Sequence, residues 1–121
     1  MSKKGERVAS GSIRVVRFSQ SAARDLEEIY SYTAHFYGIE QAEQYLDFLR
    51  AQAEAAAEGP EPVLSPEAFP DLSLILVKWS GARHGHYLVA KLTKSELIVV
   101  RVLHTAMDLE SRLGNEGYET R

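Results

Sequence analysis

The apolar positions of this chain change their period twice, and each change predicts a different element. Ile13 to Phe18 reads Ile-Arg-Val-Val-Arg-Phe, β-branched and aromatic, which favours a first strand. From Gln20 the positions Ala23, Leu26, Ile29, Tyr30, Thr33, Phe36 and Tyr37 recur at steps of three and four, the spacing that turns one stripe of a helix toward a core. Ser19 stands where an N-cap belongs, and Gly38 where a helix ends on a residue of positive φ. A second stripe, Ala42, Tyr45, Leu46, Leu49, Ala53 and Ala56, begins almost at once and stops at Gly59-Pro60. So short a connection makes the two helices antiparallel neighbours.

Pro60, Pro62, Pro66 and Pro70 then rule out regular structure, because each lacks a donor and restricts the residue before it. Three runs follow, Leu72 to Trp79, His86 to Leu92 and Glu96 to Leu103, with short separators at 80–85 and 93–95, the pattern of an antiparallel meander. The unbroken apolar run around Leu97 to Leu103 suits a central strand covered on both faces. Met107 to Leu113 predicts a short terminal helix with Asp108 near its start. The predicted class is α+β: an N-terminal strand, an antiparallel helix hairpin packed on a three-stranded antiparallel meander, and a short C-terminal helix. Residues 13–113 form one domain, 1–12 a flexible arm, and 114–121 a frayed tail.

Composition narrows the class. At 121 residues and 45% hydrophobic the chain can bury a core of its own. It has no cysteine, which removes disulfides, thiolate zinc sites and a cysteine nucleophile and fits the cytoplasm. No apolar stretch approaches the ~20 residues that span a bilayer, and Met1 to Ser12 lacks the apolar centre of a signal peptide, so no membrane role is expected.

The net charge of -3 is unevenly spread. Between Arg24 and Glu61 acids dominate. From Leu72 to His104, Lys78, Arg83, Lys91, Lys94 and Arg101 stand against Glu96 alone. The expectation is an acidic helical side and a sheet whose second face stays open and cationic, inviting an anionic or peptide partner. Direct nucleic-acid binding is secondary at most, because phosphate contacts need a more basic chain.

The candidate residues lie in the meander and after it. Arg101, inside a buried run, needs a carboxylate from this chain or a partner, since a buried guanidinium without one is costly. His104 at the strand exit has two readings, a general acid or base, or a ring that caps the strand end by bonding backbone or Asp108; the second is preferred. Arg83, His84 and His86 form a cationic knob at the first turn, and Tyr87 and Lys91 share a side of their strand. His84 and His86 lack a third ligand, so no metal is expected, and no cofactor motif is present. Trp79 is read as packing at the core edge, and Tyr30, Tyr37 and Tyr45 as core.

With Ser19-Gln20-Ser21-Ala22-Ala23-Arg24-Asp25-Leu26-Glu27-Glu28-Ile29 on the first helix, Tyr37-Gly38-Ile39-Glu40-Gln41-Ala42 at the hairpin turn, and Arg101-Val102-Leu103-His104 followed by Met107-Asp108-Leu109 and Arg112-Leu113, the chain resembles the ParE/RelE toxin superfamily, ParE branch, from about Val15 to Leu113. The Phe69-Pro70-Asp71-Leu72 lead into the meander belongs to the same likeness. The resemblance implies a gyrase-poisoning toxin that forms a hetero-oligomer with a ParD-like antitoxin, with Arg83, His86, Lys91, Arg101, His104, Met107 and Arg112 as contacts of antitoxin or target. The RelE branch would instead make it a ribosome-dependent mRNA endoribonuclease with His104, Arg101 and Lys91 as catalytic groups. Thr105-Ala106 departs from the basic residue expected in ParE-like chains, which leaves room for a third reading, a non-toxic binding module.

Overall fold

The computed structural model describes residues 14–59, 65, 67–79, 81–109 and 112–116. The expected arm at 1–12, the segment with Pro60, Pro62 and Pro66, and most of the tail lie outside them. Strand β1 (Val15–Phe18) leads into helices α1 (Gln20–Tyr37) and α2 (Ile39–Glu58), followed by strands β2 (Ser73–Val77), β3 (His86–Leu92) and β4 (Glu96–His104). The sheet runs β1-β4-β3-β2, with β1 parallel to β4 and the other pairs antiparallel. The α+β class, the hairpin and the meander are as the sequence predicts. The short C-terminal helix is seen in part: a turn follows His104, Leu109 is helical, the Arg112 N–H donates to Asp108 O at 3.0 Å, and Arg112–Glu116 form a π-helical turn.

Ser19 joins the two layers. Its Oγ accepts from the Ala22 N–H at 3.1 Å as the N-cap of α1 and donates to the Val100 carbonyl at 3.1 Å, while its own N–H donates to Val99 O at 2.9 Å. At the hairpin turn Gly38 takes φ +97°, which only glycine adopts without strain, and joins the helices alone.

One face of the sheet and the two helices enclose a core of Ala22, Leu26, Leu46, Leu49, Ala53, Leu88, Val99 and Val102. The stripe of α1 is rotated from its expected position: Ala22 is buried and Ala23 exposed. It also ends early. Everything from His35 to Gln41 is exposed, with Phe36 and Tyr37 at 60% and 62%, because the last turn of α1 carries apolar residues past the surface that would bury them. Tyr37 is therefore not core, whereas Tyr30 and Tyr45 pack against it. Trp79 packs at the edge, its ring 5.0 Å from Tyr45 and 5.6 Å from Phe48.

The reverse face of the sheet corrects the expectation of an open cationic surface. Val89, Ile98, Val100 and Leu103 are buried there under Leu72 and Leu113, with Phe69, Leu74, Tyr87, Met107 and Leu109 packed around them. This polypeptide covers that face itself, and the cover is apolar. The reason lies in β4, whose interior residues are buried on both sides and so need a layer on each.

Candidate functional site

Past Phe18, β1 no longer pairs with β4, and the N-terminal half of α1 takes over its free edge. Opposite Val89 and Ala90 the register shifts, so that Val100 becomes the extra residue of a bulge and Arg101 is re-aimed toward α1. There Asp25 receives it. Arg101 Nε donates to Asp25 Oδ2 at 2.8 Å, Nη2 donates to Oδ1 at 3.1 Å, and the Val102 N–H donates to Oδ2 at 2.8 Å. Both residues are buried, so the two-point geometry and the backbone bond together offset the cost of desolvating the pair.

Beside this pair, between α1 and the exit of β4, lies a cleft of about 350 Å³. Ile29, Tyr32 and Met107 make its apolar part; His86, Arg101, His104 and Arg112 make its basic part, with Asp25 and Glu28 on the helix side. Five of the residues singled out from the sequence, His86, Arg101, His104, Met107 and Arg112, thus line one groove. Arg83 sits exposed in the turn before β3. Lys91 lies on the other face of the sheet, 3.8 Å from Asp71, pairing in register with Ile98. A larger cleft, about 610 Å³, runs between the exposed sides of α1 and α2 and contains none of the seven.

The imidazoles of the groove are held differently. His104 Nδ1 accepts from the Ala106 N–H at 3.0 Å, so the ring caps the strand exit. His86 Nδ1 lies 2.7 Å from the Tyr45 hydroxyl, with the donor set by the imidazole tautomer. Burial pushes His86 down to about 4, helped by repulsion from His104 and opposed by Asp25; burial alone pushes Tyr45 up to about 12. Both are neutral at pH 7. His104 also packs 5.4 Å from the rings of His84 and His86, and among the described residues no group of three or more His, Cys, Asp or Glu could hold a metal ion.

Sequence reasoning missed Asp25 and Tyr32. Asp25 was legible in principle: it lies three residues after Ala22 and four before Ile29, on the inward stripe. Tyr32 carries no such signal, because its part in the groove depends on where the C-terminal segment returns.

Residues 16–109 match the family model described as the ParE toxin of the type II toxin-antitoxin system, parDE. The chain belongs to this ParE toxin family. Toxin ParE1 of Caulobacter vibrioides is 31% identical over 98 residues, which cover 81% of this chain and 96% of that protein. A solved structure of the chromosomal ParDE toxin–antitoxin system from P. aeruginosa shares the fold, with a TM-score of 0.58 at 18% identity over 75% of this chain and 95% of that one. ParE membership implies an antitoxin partner. No helix among the described residues is long and apolar enough to cross a membrane.

Proposed function

We propose that this ParE-family protein acts by binding rather than turnover: it holds DNA gyrase in its DNA-cleaved state, arrests growth, helps retain the replicon that carries it, and is neutralised by a ParD-like antitoxin. Only a higher affinity for the cleaved state is required for such inhibition. The observation that carries the reading is the groove beside α1, where His86, Arg101, His104, Met107 and Arg112 meet Ile29 and Tyr32, a mixture of basic and apolar side chains suited to a peptide segment.

The nuclease alternative draws less support from the same geometry. Its three groups are Arg101, already held by Asp25; His104, whose Nδ1 is engaged by backbone; and Lys91, on the opposite sheet face about 20 Å along β4 from His104 at the usual strand rise. In-line cleavage needs its groups around one phosphate.

A supercoiling assay with purified protein tests the proposal. Inhibition with accumulation of cleaved DNA at micromolar toxin, reversed by the antitoxin, is the expected result. Unchanged gyrase activity together with ribosome-dependent mRNA cleavage would transfer the assignment to the nuclease reading.

A further inference from the structure

The sheet ends on two edges, and they are built differently. At the β1 edge Arg17 is tied to Glu96 at 3.2 Å, and Arg14, just before the strand, donates to the Thr93 carbonyl at 2.7 Å. Where β1 stops, α1 takes over. Charge and cover of this kind keep an edge from pairing with another chain. The β2 edge has neither. Its five residues, Ser-Leu-Ile-Leu-Val, include no charge and no proline, and all five pair with β3 in unbroken register, with no bulge to twist the edge away. Among the described residues nothing hydrogen-bonds to its outer side, so the N–H and C=O groups of alternate residues face outward. Leu76 is 55% exposed beside them.

We propose that this edge pairs with β2 of a second copy of the chain, antiparallel about a two-fold axis at Ile75, so that the two sheets run on as one. A two-fold contact requires a surface that complements itself. An axis perpendicular to the sheet keeps every residue on its own face, and of the registers this allows, the one centred on Ile75 overlaps the whole strand. It sets Leu74 against Leu76 and Ser73 against Val77. The two ends of the strand favour a second copy over an unrelated segment. Lys78 is exposed just past β2, by alternation on the side of Leu74 and Leu76; Asp71 precedes β2 on that same side of the sheet, where its carboxylate lies 3.8 Å from Lys91. Centring on Ile75 sets position 78 of one copy against position 72 of the other, so each Lys78 approaches the Asp71 of the other copy. The symmetry makes that opposite-charge contact twice. The paired segment is short, so the dimer is weak and forms at micromolar concentrations and above. It uses neither the groove nor the gyrase proposal.

The test is sedimentation of the full chain from micromolar to submillimolar concentration, with amide hydrogen exchange read at both limits. A monomer–dimer equilibrium is expected, with exchange at β2 slowing as concentration rises and exchange at β1 unchanged. Leu76→Lys places a charge on the edge and should raise the dimer dissociation constant by about tenfold or more. Because Leu76 is exposed, the variant keeps the monomer's Tm. Lys78→Glu should also weaken the dimer, and adding Asp71→Lys to it should restore the parent affinity, since the exchanged charges meet again only in the register centred on Ile75. A chain that stays monomeric throughout, or a dimer that neither Leu76→Lys nor Lys78→Glu weakens, would overturn the proposal. Protection of the β2 amides that appears only on adding the antitoxin would assign the edge to a partner's strand, and would overturn it equally.

Discussion

Asp25 and Arg101, 76 residues apart in sequence, form a buried two-point ion pair that fixes α1 across the part of β4 that β1 leaves unpaired. The same carboxylate also terminates the backbone edge at Val102. Removing Asp25 alone leaves a guanidinium and an amide without their acceptor in a dry site. Asp25→Ala is expected to cost about 3–5 kcal/mol, measured by urea unfolding. Asp25→Leu combined with Arg101→Met should recover the part of that loss due to the unpaired guanidinium, but not the part due to the Val102 N–H, which stays without its acceptor. A double variant as unstable as the single one would show that the pair contributes more than mutual neutralisation.

Gly85 is buried where the turn before β3 passes the end of β2. Its N–H donates to Thr105 Oγ1 at 3.2 Å and its carbonyl accepts from the Thr105 N–H at 3.0 Å, so the backbone is fixed there. A Cβ at this position would run into the backbone carbonyl of Val77 and the side chain of Lys78. Lys78 can move; the strand carbonyl cannot. Gly85→Ala is expected to destabilise by about 2–4 kcal/mol, read as a fall in Tm.

His86 gives the fold a pH dependence of known sign. Its folded value of about 4 lies below the ordinary 6.5, so between those limits the unfolded chain binds the extra proton. Stability from this group is complete above pH 6.5 and is lost as pH falls toward 4. Allowing for the ring's partial exposure, the loss is on the order of 2 kcal/mol. Unfolding free energies at pH 7.5 and 4.5 should differ less in His86→Gln than in the parent chain; an equal difference would place the titration elsewhere.

Phe36 and Tyr37 project from the end of the hairpin without a core to enter. Phe36 touches its helix neighbours Tyr32, with ring centroids 4.7 Å apart, and His35 at 4.6 Å. Tyr37→Ser is therefore expected to change stability by no more than about 0.5 kcal/mol, and Phe36→Ser only slightly more, as surface positions do. A drop of several degrees in Tm for Tyr37→Ser would mean that the tip is covered in the folded protein.

The sequence by itself determined the order and type of the elements. Stripes at steps of three and four and unbroken apolar, β-branched runs report local geometry, and Ser19, Gly38 and the short separators at 80–85 and 93–95 mark where the chain must turn, so β3 is legible to the residue and the ParE likeness is carried by consecutive residues. Tertiary structure decided what those elements face. The same apolar spacing describes Leu26, which is buried, and Phe36, which is not, because only the extent of the sheet separates them. The continuous run of β4 already demanded cover on both sides, but its second cover, Leu72 and Leu113, comes from segments on either side of the meander, and nothing local announces their return. For the same reason Asp25 looked like one more acid on a charged helix: its role comes from Arg101, which a one-residue bulge turns toward it.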